Sequence, residues 1–312
     1  MGFDIALLFL ANALWGSTDV VAKFALSEMT PATLTWMRFT IALLVFSPVL
    51  WKKRSEIPRS LGGLLPFAGI GLCGCFLNFV VMYYGLRITP ASHATALRMT
   101  ESLIILVLSV VLLRERVGKM ALIGLGLGTL GVIMLLDIDI WNLSLFGAGS
   151  RYGDLLIITA AFLEALITII GSRVLSQAGP FLTTALACLF GWLMLSLCYG
   201  TEVIHMLRHG MPSFGTLLAC AYLGIFATVF AYGVYFVVLS RRASHQVGSS
   251  IMIQPLVGIP LAAIVFHEVM TPIFLMGATC IAVGVYLALA RPNKKDSSLK
   301  SEGKDPTPNG TT

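Results

Sequence analysis

Apolar residues fill ten stretches of this chain, at 4–25, 31–51, 61–84, 90–113, 118–136, 154–176, 180–200, 213–239, 243–266 and 272–290, with short polar connections between them. A helix needs about 20 predominantly apolar residues to cross the hydrocarbon core of a bilayer, so each stretch predicts one crossing. Prolines at Pro31, Pro90, Pro180 and Pro272 stand where helices start, because the first turn has no use for the N–H that proline lacks. The pattern predicts an all-α integral membrane protein with ten transmembrane helices, the lipid bilayer being its first partner.

The two halves of the pattern echo each other. Ala91-Ser92-His93 returns as Ala243-Ser244-His245, and Glu115 with Gly124 and Gly131 returns as Glu268 with Gly277 and Gly284. The first offset is 152 and the others 153, so one residue is inserted between the motifs. Five helices per half is an odd number, and equivalent helices must cross in opposite senses. The prediction is two inverted five-helix repeats, at 1–136 and 154–291, joined by a loop at 137–153 and followed by a polar, disordered tail at 292–312.

Charge then orients the bundle. Lys52, Lys53, Arg54 and Arg59 fill one connection, Arg114, Arg116 and Lys119 a second, Arg241 and Arg242 a third, while the 137–154 connection carries Asp137, Asp139 and Asp154 against Arg151. Positive loops stay inside, which places both termini in the cytoplasm and suits a bacterial inner membrane. The net charge of +6 is thereby spent on orientation, and nucleic-acid binding is not expected. With 57% hydrophobic and 12% charged residues, the chain has no room for a soluble catalytic domain. Its six cysteines lie in apolar stretches and read as small hydrophobes; no metal site or cofactor is expected.

Trp15-Gly16, Arg38-Phe39, the block Leu112-Leu113-Arg114-Glu115-Arg116 and the run from Gln254-Pro255-Leu256 to Glu268 resemble the ten-helix EamA-type members of the drug/metabolite transporter superfamily, over about residues 4–290. The resemblance implies an alternating-access carrier that exports amino acids or related metabolites through a cavity lined by helices one, three, four, six, eight and nine. It also marks a departure: Glu101 is followed by Ser102 where the family's first repeat often has proline, so helix four is expected to be straighter than its counterpart.

A charge at mid-bilayer costs at least about 2.5–3.5 kcal/mol on insertion scales and so faces a wet cavity or a partner. Arg98 and Glu101, three apart on helix four, can pair or frame a ligand together, Arg98 taking a carboxylate and Glu101 or Glu164 an amine or a proton. Glu164 has no basic residue within a turn of its own helix, which makes it, with Glu101, a proton-coupling candidate. Asp19 and Lys23, four apart, read as a gate, and Arg38 as a packing or gating anchor. Asn12, Trp15, Asn78 and Gln254 complete the substrate-binding candidates; Tyr83 and Tyr84 read as interfacial belt residues.

Two patterns mislead. Gly126-Leu-Gly128-Thr-Leu-Gly131 spells a dinucleotide fingerprint but lies inside an apolar helix, where Gly124 and Gly128 instead allow close helix packing. His205 and His209 fall in a 201–212 loop with no third ligand. The chain thus reads as a secondary carrier of a small polar or zwitterionic solute and not an enzyme. The alternatives are an intramembrane enzyme acting on a lipid-linked substrate and a nucleotide-sugar or phosphate-ester exchanger.

Overall fold

The computed structural model describes residues 2–89, 91–98, 100–114, 118–135, 151–242, 244–266 and 272–290. Among them all regular structure is helical. In the first half, α1 runs Gly2–Ala25, α2 Pro31–Lys52, α3 Leu61–Ile88 with a π-helical stretch at Gly71–Leu77, α4 Ala91–Leu97 and Thr100–Leu113, and α5 Lys119–Leu135. In the second, α6 covers Arg151–Ala178, α7 Pro180–His209, and α8 Phe214–Leu239 with a π-helical stretch at Ile225–Phe230. The ninth run, α9, joins Ser244–Gly248, a 3₁₀ stretch at Ser249–Ile253 and Gln254–Phe266, and α10 spans Pro272–Ala290. Glu115, Arg116 and Glu268, the loop from 137 to 150 and the tail at 292–312 lie outside the described residues.

Six helices, Phe3–Ala25, Pro31–Lys52, Leu61–Ile88, Pro180–Arg208, Phe214–Leu239 and Gln246–Val265, are long and apolar enough to cross a membrane, and α4, α5, α6 and α10 contribute shorter apolar helices. Leu61, Val111, Leu197 and Ile264 stand exposed on the outside of the bundle, where lipid replaces water as their neighbour. Helix starts are capped by short polar side chains: Thr30 and Thr33 form a capping box on α2, and Ser60 and Ser213 accept bonds from Gly63 N and Thr216 N at the starts of α3 and α8.

Neighbours repeat in the two halves. The first helix packs on α8 and α9, and α6 on α3 and α4; α2 packs on α7, and α5 on α10. Exchanging every helix for the one five places away maps this set of contacts onto itself. The interruptions correspond as well, a π stretch in α3 and α8 and a break in α4 and α9. Glycines make the α5–α10 contact a meeting of backbones: a Cβ on Gly284 would lie 2.6 Å from the Gly124 oxygen and 2.7 Å from the Gly128 nitrogen.

Two sequence expectations are corrected here. The 201–212 segment is not a loop, since α7 resumes after a kink at Tyr199 (φ −121°, ψ 16°) and continues to His209. Glu202, Met206 and Leu207 are good helix formers, and the helix stops only at Gly210, whose φ of 146° favours glycine, two residues before Pro212. Nor is α4 the straight helix its missing proline suggests. It is interrupted between Leu97 and Thr100, and there the Glu101 N–H bonds the Arg98 carbonyl at 3.0 Å, one residue tighter than an α-helical bond.

Candidate functional site

The break in α4 turns Arg98 and Glu101 into the middle of the bundle, where they meet side chains from six other helices. A small cavity lies between them. Trp15 and Thr18 of α1, Arg38 of α2 and Phe79 of α3 line one part of it; Glu164 of α6, Tyr232 of α8 and Gln254 of α9 line the rest with Arg98 and Glu101. The helices that the resemblance implies are all present, and α2 joins them through Arg38.

Arg98 does not pair with Glu101. Its Nη1 meets Asp19 Oδ1 of α1 at 3.3 Å, and Thr95 Oγ1, one turn earlier on α4, donates to Asp19 Oδ2 at 2.8 Å. Asp19 consequently does not pair with Lys23, whose Nζ reaches across to the Thr89 carbonyl at the end of α3, 2.8 Å away. Long-range geometry here overrides the spacing along each helix. Glu101 is 2% exposed, and its Oε2 has no hydrogen-bond partner among the described residues.

Glu164 is not partnerless, as its own helix implies, because other helices supply donors. Tyr232 OH donates to Oε1 at 2.6 Å and Asn78 Nδ2 donates to Oε2. Asn78 therefore lies behind the cavity wall, holding Glu164. Asn12 is likewise occupied: its Nδ2 donates to the Leu8 carbonyl and to Ser250 Oγ, and its Oδ1 accepts from Gln254 Nε2 at 3.1 Å, so it pins α1 to α9 while Gln254 reaches the cavity. Trp15 Nε1 donates to the Ala227 carbonyl at 2.8 Å, and its ring packs against Tyr232 and Tyr235 with centroids 4.8 and 5.1 Å away.

Arg38 is 1% exposed and has no ion pair among the described residues. Its Nε donates to Thr228 Oγ1 at 2.7 Å and Nη1 to Tyr83 OH at 2.9 Å, while the guanidinium carbon lies 4.1 Å from the Phe79 ring centroid. Tyr83 is fully buried by these contacts and is not an interfacial belt residue; Tyr84 is exposed. Sequence reasoning passed over Thr18, Phe79, Thr95, Thr228 and Tyr232. For Tyr232 a signal existed, a hydroxyl-bearing ring in the middle of an apolar helix and not at its end.

A second small cavity adjoins the first behind Thr228 and Tyr232. Its other walls include Ile70, Cys75, Ile167, Cys188 and Phe236, so it is apolar. Among the described residues no three potential metal ligands converge anywhere.

A charged cavity buried in an all-helical membrane bundle, at the meeting of its two halves, is the layout of a solute transporter. The chain belongs to the EamA-like transporter family, whose model matches residues 3–137 and again 151–290, once on each half. It is 24% identical over 302 residues to the uncharacterized transporter YetK of Bacillus subtilis, covering 94% of this chain and 89% of that one. To a Salmonella typhimurium protein named as a probable amino-acid metabolite efflux pump it is 26% identical over 294 residues, covering 91% and 94%. A crystal structure at 20% identity has the same fold, with a TM-score of 0.73 over 93% of this chain and 97% of that one. The protein is an integral membrane transporter with a small-molecule substrate.

Proposed function

We propose that this transporter is a secondary carrier that exports a small polar or zwitterionic metabolite, such as an amino acid or derivative, by alternating access. The observation that carries this reading is the central cavity, faced by charges of both signs inside an otherwise apolar bundle. A zwitterion complements such a wall and an uncharged lipid tail does not. The name of the Salmonella relative points the same way. Trp15, Glu101 and Gln254 are the proposed solute contacts, supported from behind by Asn12 and Asn78, with Arg98 held beside them by Asp19. Asp19 and Lys23 are the proposed gate toward the outer end of α1, where opening would exchange the Asp19–Arg98 pair. The carboxylates Glu101, Glu164 and Asp19 around the cavity weigh against a nucleotide-sugar or phosphate-ester exchanger, which needs an excess of cations there.

The drive is proposed to be a proton gradient acting through Glu101 and Glu164. A buried carboxylate oxygen without a donor is satisfied by taking up either a proton or an ammonium group, and Glu101 Oε2 fits that description. A bacterial inner membrane with both termini inside is supported by the basic connections and by Asp4, near the start of α1, which pairs with Arg242 at 3.0 Å and Arg241 at 3.6 Å after α8.

Transport into proteoliposomes tests the reading. Glu101→Gln, present at normal levels, is expected to slow uptake at least about tenfold, the scale of one lost charged hydrogen bond. Collapsing the pH gradient is expected to slow concentrative uptake by the unaltered protein and to leave Glu164→Gln indifferent. Unchanged kinetics in Glu101→Gln would sink the site assignment.

A further inference from the structure

Of the four charges that line the cavity, Arg98 alone has an ion pair among the described residues, with Asp19; Arg38, Glu101 and Glu164 have none. Both oxygens of Glu164 accept from neutral donors, Tyr232 and Asn78. Arg38 is the one cation of these three. Neutral partners fix the Arg38 guanidinium from three directions: the Thr228 hydroxyl, the Tyr83 hydroxyl and the face of Phe79. They orient the group without cancelling its charge, and its Nη2 makes no hydrogen bond among the described residues. A cation buried this way is preorganised for an anion, because the side-chain ordering that binding usually demands is already done. Arg98, by contrast, would have to give up Asp19 before it could bind another carboxylate.

We infer that Arg38, and not Arg98, receives the carboxylate of the transported solute. This inference rests on the carrier reading above and assigns the anion subsite within it. The neighbouring cavity selects the kind of anion. Thr228, which holds the guanidinium, and Tyr232, which lines both spaces, stand between Arg38 and an apolar chamber walled by Cys75, Ile167, Cys188 and Phe236. An organic acid held at Arg38 can turn an apolar substituent toward these side chains, and an inorganic anion would leave that surface unused. Glu101 remains for the amine.

The test compares proteoliposome uptake of L-amino acids with that of their carboxamides, which keep the amine and side chain but lose the negative charge, with inorganic phosphate as a competitor. For at least one amino acid, the unaltered protein is expected to prefer the acid over its amide by about tenfold or more, the worth of a charged hydrogen bond. Arg38→Gln is expected to erase the preference and Arg98→Gln to retain it. If Arg38→Gln does not fold, Arg38→Lys carries the test: losing the bidentate fork, it is expected to raise KM for the acid several-fold and leave KM for the amide unchanged. If acid and amide move equally well, if Arg98→Gln alone erases the preference, if Arg38→Lys changes both KM values alike, or if phosphate competes as well as the acid, the Arg38 assignment falls and the carrier reading stands. If neither acids nor amides move in protein shown to be folded, the carrier reading for this solute class falls and takes the assignment with it.

Discussion

Removing the Asp19 carboxylate would strand the Arg98 guanidinium in the bundle with its counter-charge gone. Breaking a buried pair from one side costs about 3–5 kcal/mol, and because Arg98 also borders the cavity the lower end applies here. Asp19→Asn is accordingly expected to lower unfolding stability in detergent by about 3 kcal/mol. The double variant with Arg98→Gln should recover part of that loss, because it leaves no uncompensated charge. Losses that simply add in the double-mutant cycle would show that the two residues are not coupled. The same logic explains why Lys23 turns to the Thr89 carbonyl: the carboxylate four residues before it is already engaged by a cation from another helix.

At the scale of helices, α1 and α9 meet with almost nothing between their backbones. A Cβ on Gly16 would lie 2.5 Å from the Gln254 carbonyl oxygen and 3.1 Å from Val257 Cβ, and one on Gly258 would strike the Gly16 oxygen. The bonds from Asn12 to Ser250 and Gln254 depend on this approach. Gly16→Val is therefore expected to cost about 1–3 kcal/mol by overpacking. Gly126→Ala, on α5 with nothing within 4 Å of the added carbon, is expected not to lower the melting temperature. Equal effects from the two would undermine the close-contact account of Gly16. How much of this was legible beforehand follows from what helical periodicity carries. Hydrophobic length located the helices, and burial cost singled out Arg98, Glu101, Glu164 and Asp19 as candidates. Spacing within one helix could not pair them, because Asp19 meets Arg98 across 79 positions and Glu164 meets Tyr232 across 68. The π stretches and the break in α4 escaped for a related reason: no proline marks either π stretch or the interruption at Leu97–Thr100.

For the molecule as a whole, the neighbours of the two halves exchange as a two-fold relation demands, and with five helices in each half the equivalent helices are expected to cross in opposite senses, which puts both termini on one side. Reporter fusions ahead of α1 and after α10 are expected to report the cytoplasm, as is one in the 53–60 connection, whereas reporters between α1 and α2 and between α7 and α8 should face outward. Contacts across the bundle agree with this sidedness: Glu28, between α1 and α2, accepts from Ser213 N and Oγ at 2.7 Å, at the start of α8. Termini found on opposite sides would dismantle the inverted arrangement. The wide turn in α8 has a further bearing on how such a bundle moves. Thr228 sits within it, and its hydroxyl donates to the Leu223 carbonyl five residues back at 2.8 Å while accepting from Arg38 Nε. One oxygen thus fastens both the loosened coil and the arginine. Rewinding that coil by a single residue would swing Thr228 about 100° around the helix axis, so tightening the spring and letting go of the guanidinium are one motion.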